Sequence, residues 1–249
     1  MINFLTAEYN KLFKRKNFYF GLTITILASL LNIIIMLITN PDINALTYTE
    51  LQQLMLRFIG NKFVVILIIF MITVTLAGVN VSNVKNAITI GYTRLEIYFA
   101  KLILGVSIIT ILLFSSMIST FFCCGIWLYN LLNITAFWEA LIRFALLYMV
   151  YIAIFSIALT LCYIINYNML FAIIYFILFL VLSEIITTTS MYSKTIHDIT
   201  NLFLTQQLDN IILSAHNVYL WPYVVGTTTG YTALTLILGA LIINRKDIK

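Results

Sequence analysis

Charge is scarce in this chain: Asp, Glu, Lys and Arg make up 9% of its 249 residues, against about a quarter in a soluble domain. So few charges cannot cover a water-facing surface, which excludes a soluble globular domain. Glycine and proline are also few, at 9 and 2, which argues against a β-rich or loop-rich design and for long uninterrupted helices. Histidine occurs twice, as His197 and His216, and neither has an acidic or cysteine neighbour at ligand spacing. There is no H-E-x-x-H, no G-x-S-x-G, no acidic pair inside an apolar run and no Walker A loop. The chain is therefore expected to be no enzyme, to hold no metal and no cofactor, and not to hydrolyse ATP through a P-loop. Cys123, Cys124 and Cys162 all sit in apolar runs and read as small packing residues rather than ligands.

What fills the chain instead is apolar. Hydrophobic residues reach 62% and the mean hydropathy is +1.04, and the excess falls in blocks. A membrane-crossing helix needs roughly 20 apolar residues, and barrel strands would alternate in short segments. The runs are long and continuous, so the expected class is an all-α membrane protein. Six spans are predicted, over 18–38, 63–81, 97–127, 137–165, 169–186 and 223–243, giving a transmembrane domain over 18–249. No cleavable signal peptide is expected, because a polar stretch opens the chain and the first apolar run has span length.

Orientation follows from the basic residues. Of 14 Lys and Arg, ten fall on one side of the six spans: Lys11, Lys14, Arg15, Lys16, Lys85, Arg94, Lys101, Arg245, Lys246 and Lys249. Only Arg57, Lys62, Arg143 and Lys194 fall on the other. The positive-inside rule then puts both termini in the cytoplasm. The net charge of +5 is accounted for by topology, without a nucleic-acid partner.

Four pieces lie outside the spans. Over 1–17, Ile2, Leu5, Tyr9, Leu12 and Phe13 share one helical face, with Glu8, Lys11, Lys14 and Arg15 opposite. That pattern suits a helix in the inner membrane interface. The loop 39–62 is external and polar. The loop 187–221 carries Ile196, Ile199, Phe203, Leu204, Leu208, Ile211 and Ile212 at near-helical spacing, which predicts outer-surface or re-entrant helices. Near the outer end of span four, Arg143 lies one turn from Glu139 for an i,i+4 pair; near that of span five, Glu184 reads as an interfacial carboxylate, with Arg143 as its alternative partner.

The fourth piece joins spans two and three. Gly91 is a helix stop, able to adopt the left-handed conformation. Thr93 and Glu96 form a capping box that starts a new helix. A short cytoplasmic helix over 83–90, a bend at Gly91 and Tyr92, and then span three are expected. In span six, Gly226 and Gly230 form a small-x-x-x-small pair that lets helices approach closely, within one subunit by default or at a subunit interface.

With these features the chain resembles the permease subunits of type-2 ABC transporters. The stretch that carries the resemblance runs from Asn83 to Lys101. It is similar to that family's pattern of a Lys-Asn pair (Lys85-Asn86), a hydrophobic turn and break (Ile88 to Gly91), an Arg (Arg94), and a Lys opening the third span (Lys101). Asn80 to Asn83 stand where the family carries an acidic residue and a Gly-Thr pair. The resemblance implies a coupling helix made by Lys85, Asn86, Ile88, Thr89, Ile90, Gly91, Tyr92 and Arg94, docking on a separate ATP-binding cassette ATPase that binds ATP and Mg. It implies a second permease copy, in the first instance an identical one, and residence in the plasma membrane. Small permeases of this kind are similar to exporters of amphipathic peptides or bacteriocin-immunity systems, such as those for phenol-soluble modulins. A secondary carrier without ATP, or a membrane-embedded immunity or accessory protein, is the alternative.

Overall fold

The structure is a computed structural model, described for residues 2–14, 16–39, 56, 60–76, 87–127, 134–165, 167–190, 200–213 and 220–245. Every regular element among these is helical: α1 (Ile2–Lys14), α2 (Lys16–Thr39), α3 (Lys62–Leu76), α4 (Arg94–Trp127), α5 (Ile134–Ile164), α6 (Asn168–Phe176), a π-helical turn (Ile177–Val181), α7 (Leu182–Ser190), α8 (Leu204–Leu213) and α9 (Leu220–Arg245). Four helices are long and apolar enough to cross a membrane, over Arg94–Phe122, Trp138–Ile164, Asn168–Thr189 and Trp221–Asn244, and Lys62–Leu76 is a shorter apolar helix.

The polar residues in these helices are accommodated locally. Thr25, Thr73, Thr110, Thr120, Ser156 and Thr228 each place the side-chain oxygen 2.7–2.8 Å from a carbonyl three or four residues back. Such hydroxyls consume their own hydrogen-bonding demand inside the helix, so they can be buried without water. Helix starts are equally local. The Asn61 carboxamide oxygen accepts from the amides of Phe63 at 3.0 Å and Val64 at 3.4 Å, which caps α3.

α5 is the central pillar. Its span is 67% buried inside the protein, whereas that of α9 is 17% buried. Two glycines set how closely its neighbours come: a Cβ at Gly105 of α4 would overlap the Phe155 ring of α5, and one at Gly239 of α9 would overlap the Tyr98 hydroxyl of α4. Around these contacts Tyr98 lies 3.2 Å from Thr160, and Ser156 lies 2.8 Å from Thr235, so hydroxyls bridge α4, α5 and α9. An aromatic group of Phe70, Phe171, Tyr175 and Phe176 joins α3 to α6, and the Tyr175 hydroxyl donates to the Ile66 carbonyl at 3.0 Å. Just beyond it the helix widens into the π turn. π turns occur mostly as single insertions within α-helices, and nothing in the residue pattern announced this one.

Each of the six apolar stretches is helical where it is described: α2 over 16–39, α3 from 62, α4 over 94–127, α5 over 134–164, α6 through α7 over 168–190 and α9 over 220–245. The expected 77–81 of span two, most of the loop 39–62, and Lys85, Asn86, Asn166, His197 and His216 lie outside the described residues. α1 is a helix as expected, and its apolar face is turned to the protein: Leu5, Tyr9 and Leu12 pack against the core, with the Tyr9 hydroxyl hydrogen-bonded to Ser107 of α4.

Candidate functional site

The turn into α4 is held by an unbroken set of local hydrogen bonds. Ala87 to Thr89 form the last helical residues before it. Gly91 has φ of 101°, its amide donates to the Ile88 carbonyl at 2.9 Å, and the Tyr92 amide donates to the Ala87 carbonyl at 3.1 Å. This pair of bonds is the Schellman arrangement, with a glycine at the one position that requires the left-handed region. Two residues later the next helix starts with a complete capping box. The Thr93 amide donates to Glu96 Oε2 at 2.9 Å, and the Glu96 amide donates to Thr93 Oγ1 at 3.3 Å. One helix is terminated and another initiated within ten residues, and no residue between them is left to choose its own conformation.

The side chains of the turn divide by exposure. Ala87 is buried, and Ile88, Tyr92 and Arg94 are half-buried. Thr89 and Gly91 are exposed, and Ile90 is 75% exposed, which leaves an apolar side chain at the tip. The Tyr92 ring lies 5.1 Å from that of Phe4 on α1. The turn therefore rests on the N-terminal helix, a contact that residue patterns did not reveal because the partners are far apart in sequence. One turn into α4, Ile97, Tyr98 and Ala100 are fully buried, and the Lys101 ammonium donates to the Leu76 carbonyl of α3. Lys101 thus ties the start of α4 to α3.

At the opposite end of the bundle lies a second polar group. Lys62, at the start of α3, pairs with Glu184 of α7 and lies 3.8 Å from Asp209 of α8. Burial lifts the Asp209 carboxyl above its ordinary 3.8; Lys62 opposes the shift and Glu184 adds to it. Arg143 of α5 donates to the Ile211 carbonyl at 2.9 Å, where a cation meets the C-terminal end of a helix dipole. The structure thus gives Glu184 a partner in Lys62 and gives Arg143 a partner in α8, a division that helical spacing along single spans did not reveal.

Gly226 and Gly230 do not bring helices together within the chain. Both are exposed, and a Cβ at either would meet nothing within 4 Å. The close approaches are made by Gly60, Gly105 and Gly239 instead, because those glycines face neighbouring elements while Gly226 and Gly230 lie on the outward side of α9. Among the described residues no group of three or more His, Cys, Asp or Glu could hold a metal ion.

No protein-family model matches the chain, and no curated protein is significantly similar to it.

Proposed function

We propose that the chain is the permease subunit of an ATP-driven exporter of the type-2 ABC kind, carrying amphipathic peptides or similar hydrophobic cargo out of the plasma membrane. In this reading α2 and α3 are also spans, giving six, and α1, the Gly91 turn and the end of α9 face the cytoplasm. Two copies pair, and a separate ATPase that binds ATP and Mg docks on each turn.

The observation that carries the reading is the Gly91 turn. A motor outside the membrane needs a handle that moves as one piece with the spans, and a loop that bends cannot pass on a rigid-body motion. Here the bonds of Ala87, Ile88, Gly91 and Tyr92 and the Thr93–Glu96 box lock the reversal. Lys101 fastens it to α3, Phe4 braces it from α1, and Ile90 projects from its tip. An exposed isoleucine at the headgroup level is well placed to enter a groove on a partner.

Purification from native membranes tests this directly. An ATPase in equal amount should accompany the chain. Ile90→Glu, at an exposed position that leaves folding intact, should release it. Recovery of the chain alone, or an Ile90→Glu chain that keeps its ATPase, would sink the assignment, and a secondary carrier or immunity protein would be the reading to pursue.

A further inference from the structure

An amphipathic helix on a membrane surface dips its apolar face into lipid. α1 turns that face inward instead, with Leu5, Tyr9 and Leu12 packed against the protein core. Its outward side is basic. Lys11, Lys14 and, at the start of α2, Lys16 are exposed. The one acid of α1, Glu8, lies 3.0 Å from Lys11, and among the described residues no carboxylate pairs with Lys14 or Lys16. The helix dipole favours Lys14 in the last turn of α1 and opposes Lys16 at the first position of α2. Helix electrostatics therefore does not account for both.

An aromatic row crosses the same junction. Tyr9 stacks on Phe13 at 6.2 Å, Phe13 meets Phe18 edge-on at 5.4 Å, and Phe18 meets Tyr19 at 5.5 Å. Phe13 and Tyr19 are exposed, and beyond them α2 continues with the exposed Ile24, Leu27, Leu31 and Ile34. The pairs Tyr9–Ser107 and Ser29–Ser119 set α1 and α2 alongside α4 in its own direction. Lys14 and Lys16 thus stand on the Gly91 side of the bundle, at the lower edge of an outward apolar face. Cations at such an edge meet lipid phosphates, and the adjoining rings sit at headgroup level.

We propose that the α1–α2 junction binds the headgroup of an anionic phospholipid through Lys14 and Lys16, and that the bound lipid steadies the Gly91 turn. The exposed rings and aliphatic face beside the lysines favour a lipid over a free phosphate ion, because they take up the acyl chains. The route to the turn is short. α1 also carries Phe4, whose ring lies 5.1 Å from that of Tyr92, so holding α1 against the membrane holds the turn. The inference takes from the function proposed above only that α2 lies in the membrane; it asks for neither ATPase nor cargo.

The test uses the full chain, without an ATPase, in a neutral detergent. Phosphatidylglycerol, phosphatidylcholine or glycerol 3-phosphate is added, amide hydrogen exchange is followed over 87–96, and retained lipid is counted by native mass spectrometry. Phosphatidylglycerol should slow exchange at Gly91 and Tyr92 about fivefold or more, and the other two additions should leave it unchanged. A lysine near an anionic surface contributes roughly fivefold in affinity, so Lys14→Gln with Lys16→Gln should weaken phosphatidylglycerol retention about twentyfold and abolish the slowing. Phe4→Ala should keep the lipid and lose the slowing. Equal slowing by phosphatidylcholine or glycerol 3-phosphate, or retention that survives the loss of both lysines, overturns the lipid site. Lipid retained by the parent chain with no change in exchange overturns its link to the turn. The premise is checked separately: a chain released from membranes by an alkaline wash has no α2 in the bilayer, and the site falls with that reading. A chain that stays embedded and ignores phosphatidylglycerol loses the site and keeps its spans.

Discussion

At the end where α4 begins, the chain reverses through backbone hydrogen bonds and one capping box; at the other end, α8 is held chiefly by side chains. Backbone bonds formed within five residues cannot be exchanged without melting the helix they terminate. Side-chain bonds between elements can be traded for water one at a time. The first kind of construction is fixed by the local backbone, and the second depends on how separate elements pack. The difference teaches that rigidity in this bundle is local in origin at one end and tertiary at the other, and mutations should separate the two.

The largest effect is expected from Gly91→Val. A β-branched residue cannot adopt φ of 101° without strain, and left-handed backbone costs an ordinary L-residue about 2 kcal/mol. The thermal melting of the detergent-solubilised chain should fall accordingly, and under the proposed function a docked ATPase should be lost from it. An unchanged melting curve would mean that the turn has another conformation. Lys101→Met comes next. It removes the donor to the Leu76 carbonyl, and a buried acceptor left without its partner costs about 1.5 kcal/mol. Thr93→Ala is smaller, about 1 kcal/mol for a lost N-cap, and Thr93→Ser should recover most of it in the same melting assay.

These local features were the ones legible in the residues. Gly91, Thr93 and Glu96 announce themselves because a stop and a capping box are written within a few positions, and the apolar row of α8 shows itself by helical spacing. The fold class was legible for a similar reason, since runs of apolar residues state their own length. The Phe4–Tyr92 contact, the Lys101–Leu76 bond and the Lys62–Glu184–Asp209 group were not. Each joins residues many turns apart, and pairing them requires the relative rotation of two helices, which a single strip of sequence does not contain. Gly226 and Gly230 show the same limit from the other side. A small-residue pair states that a helix can be approached, and only the rotation of α9 decides by what.

The other end of the comparison is sharpened by pH. Asp209 is an acid whose pKa is raised on folding, so the folded chain binds that proton more tightly than the unfolded chain. Its contribution to stability is full below the ordinary value of 3.8 and is lost as pH rises through the higher folded value. Melting temperature should therefore fall with rising pH just above 3.8, and Asp209→Asn, which cannot ionise, should flatten that slope. Equal slopes for the two chains would show that Lys62 fully offsets the cost of burying the carboxylate.

The smallest effect belongs to Gly226→Ala. A methyl group there enters open space, and alanine favours the helix over glycine by up to about 1 kcal/mol. Melting of the single chain should stay where it is or rise slightly; a clear fall would mean that α9 is rotated from its present position and that Gly226 does face a neighbouring span. Bulkier residues separate the two uses of the stripe. Gly226→Leu with Gly230→Leu should leave the monomer's melting intact, because both positions are exposed and a Cβ at either meets nothing within 4 Å. If a second copy packs along α9 as close-packed membrane helices do, the same variant should lose the dimer in chemical cross-linking of intact membranes. A dimer that survives both leucines must be joined through a different face. The stripe would then be an outward surface that lipid alone covers.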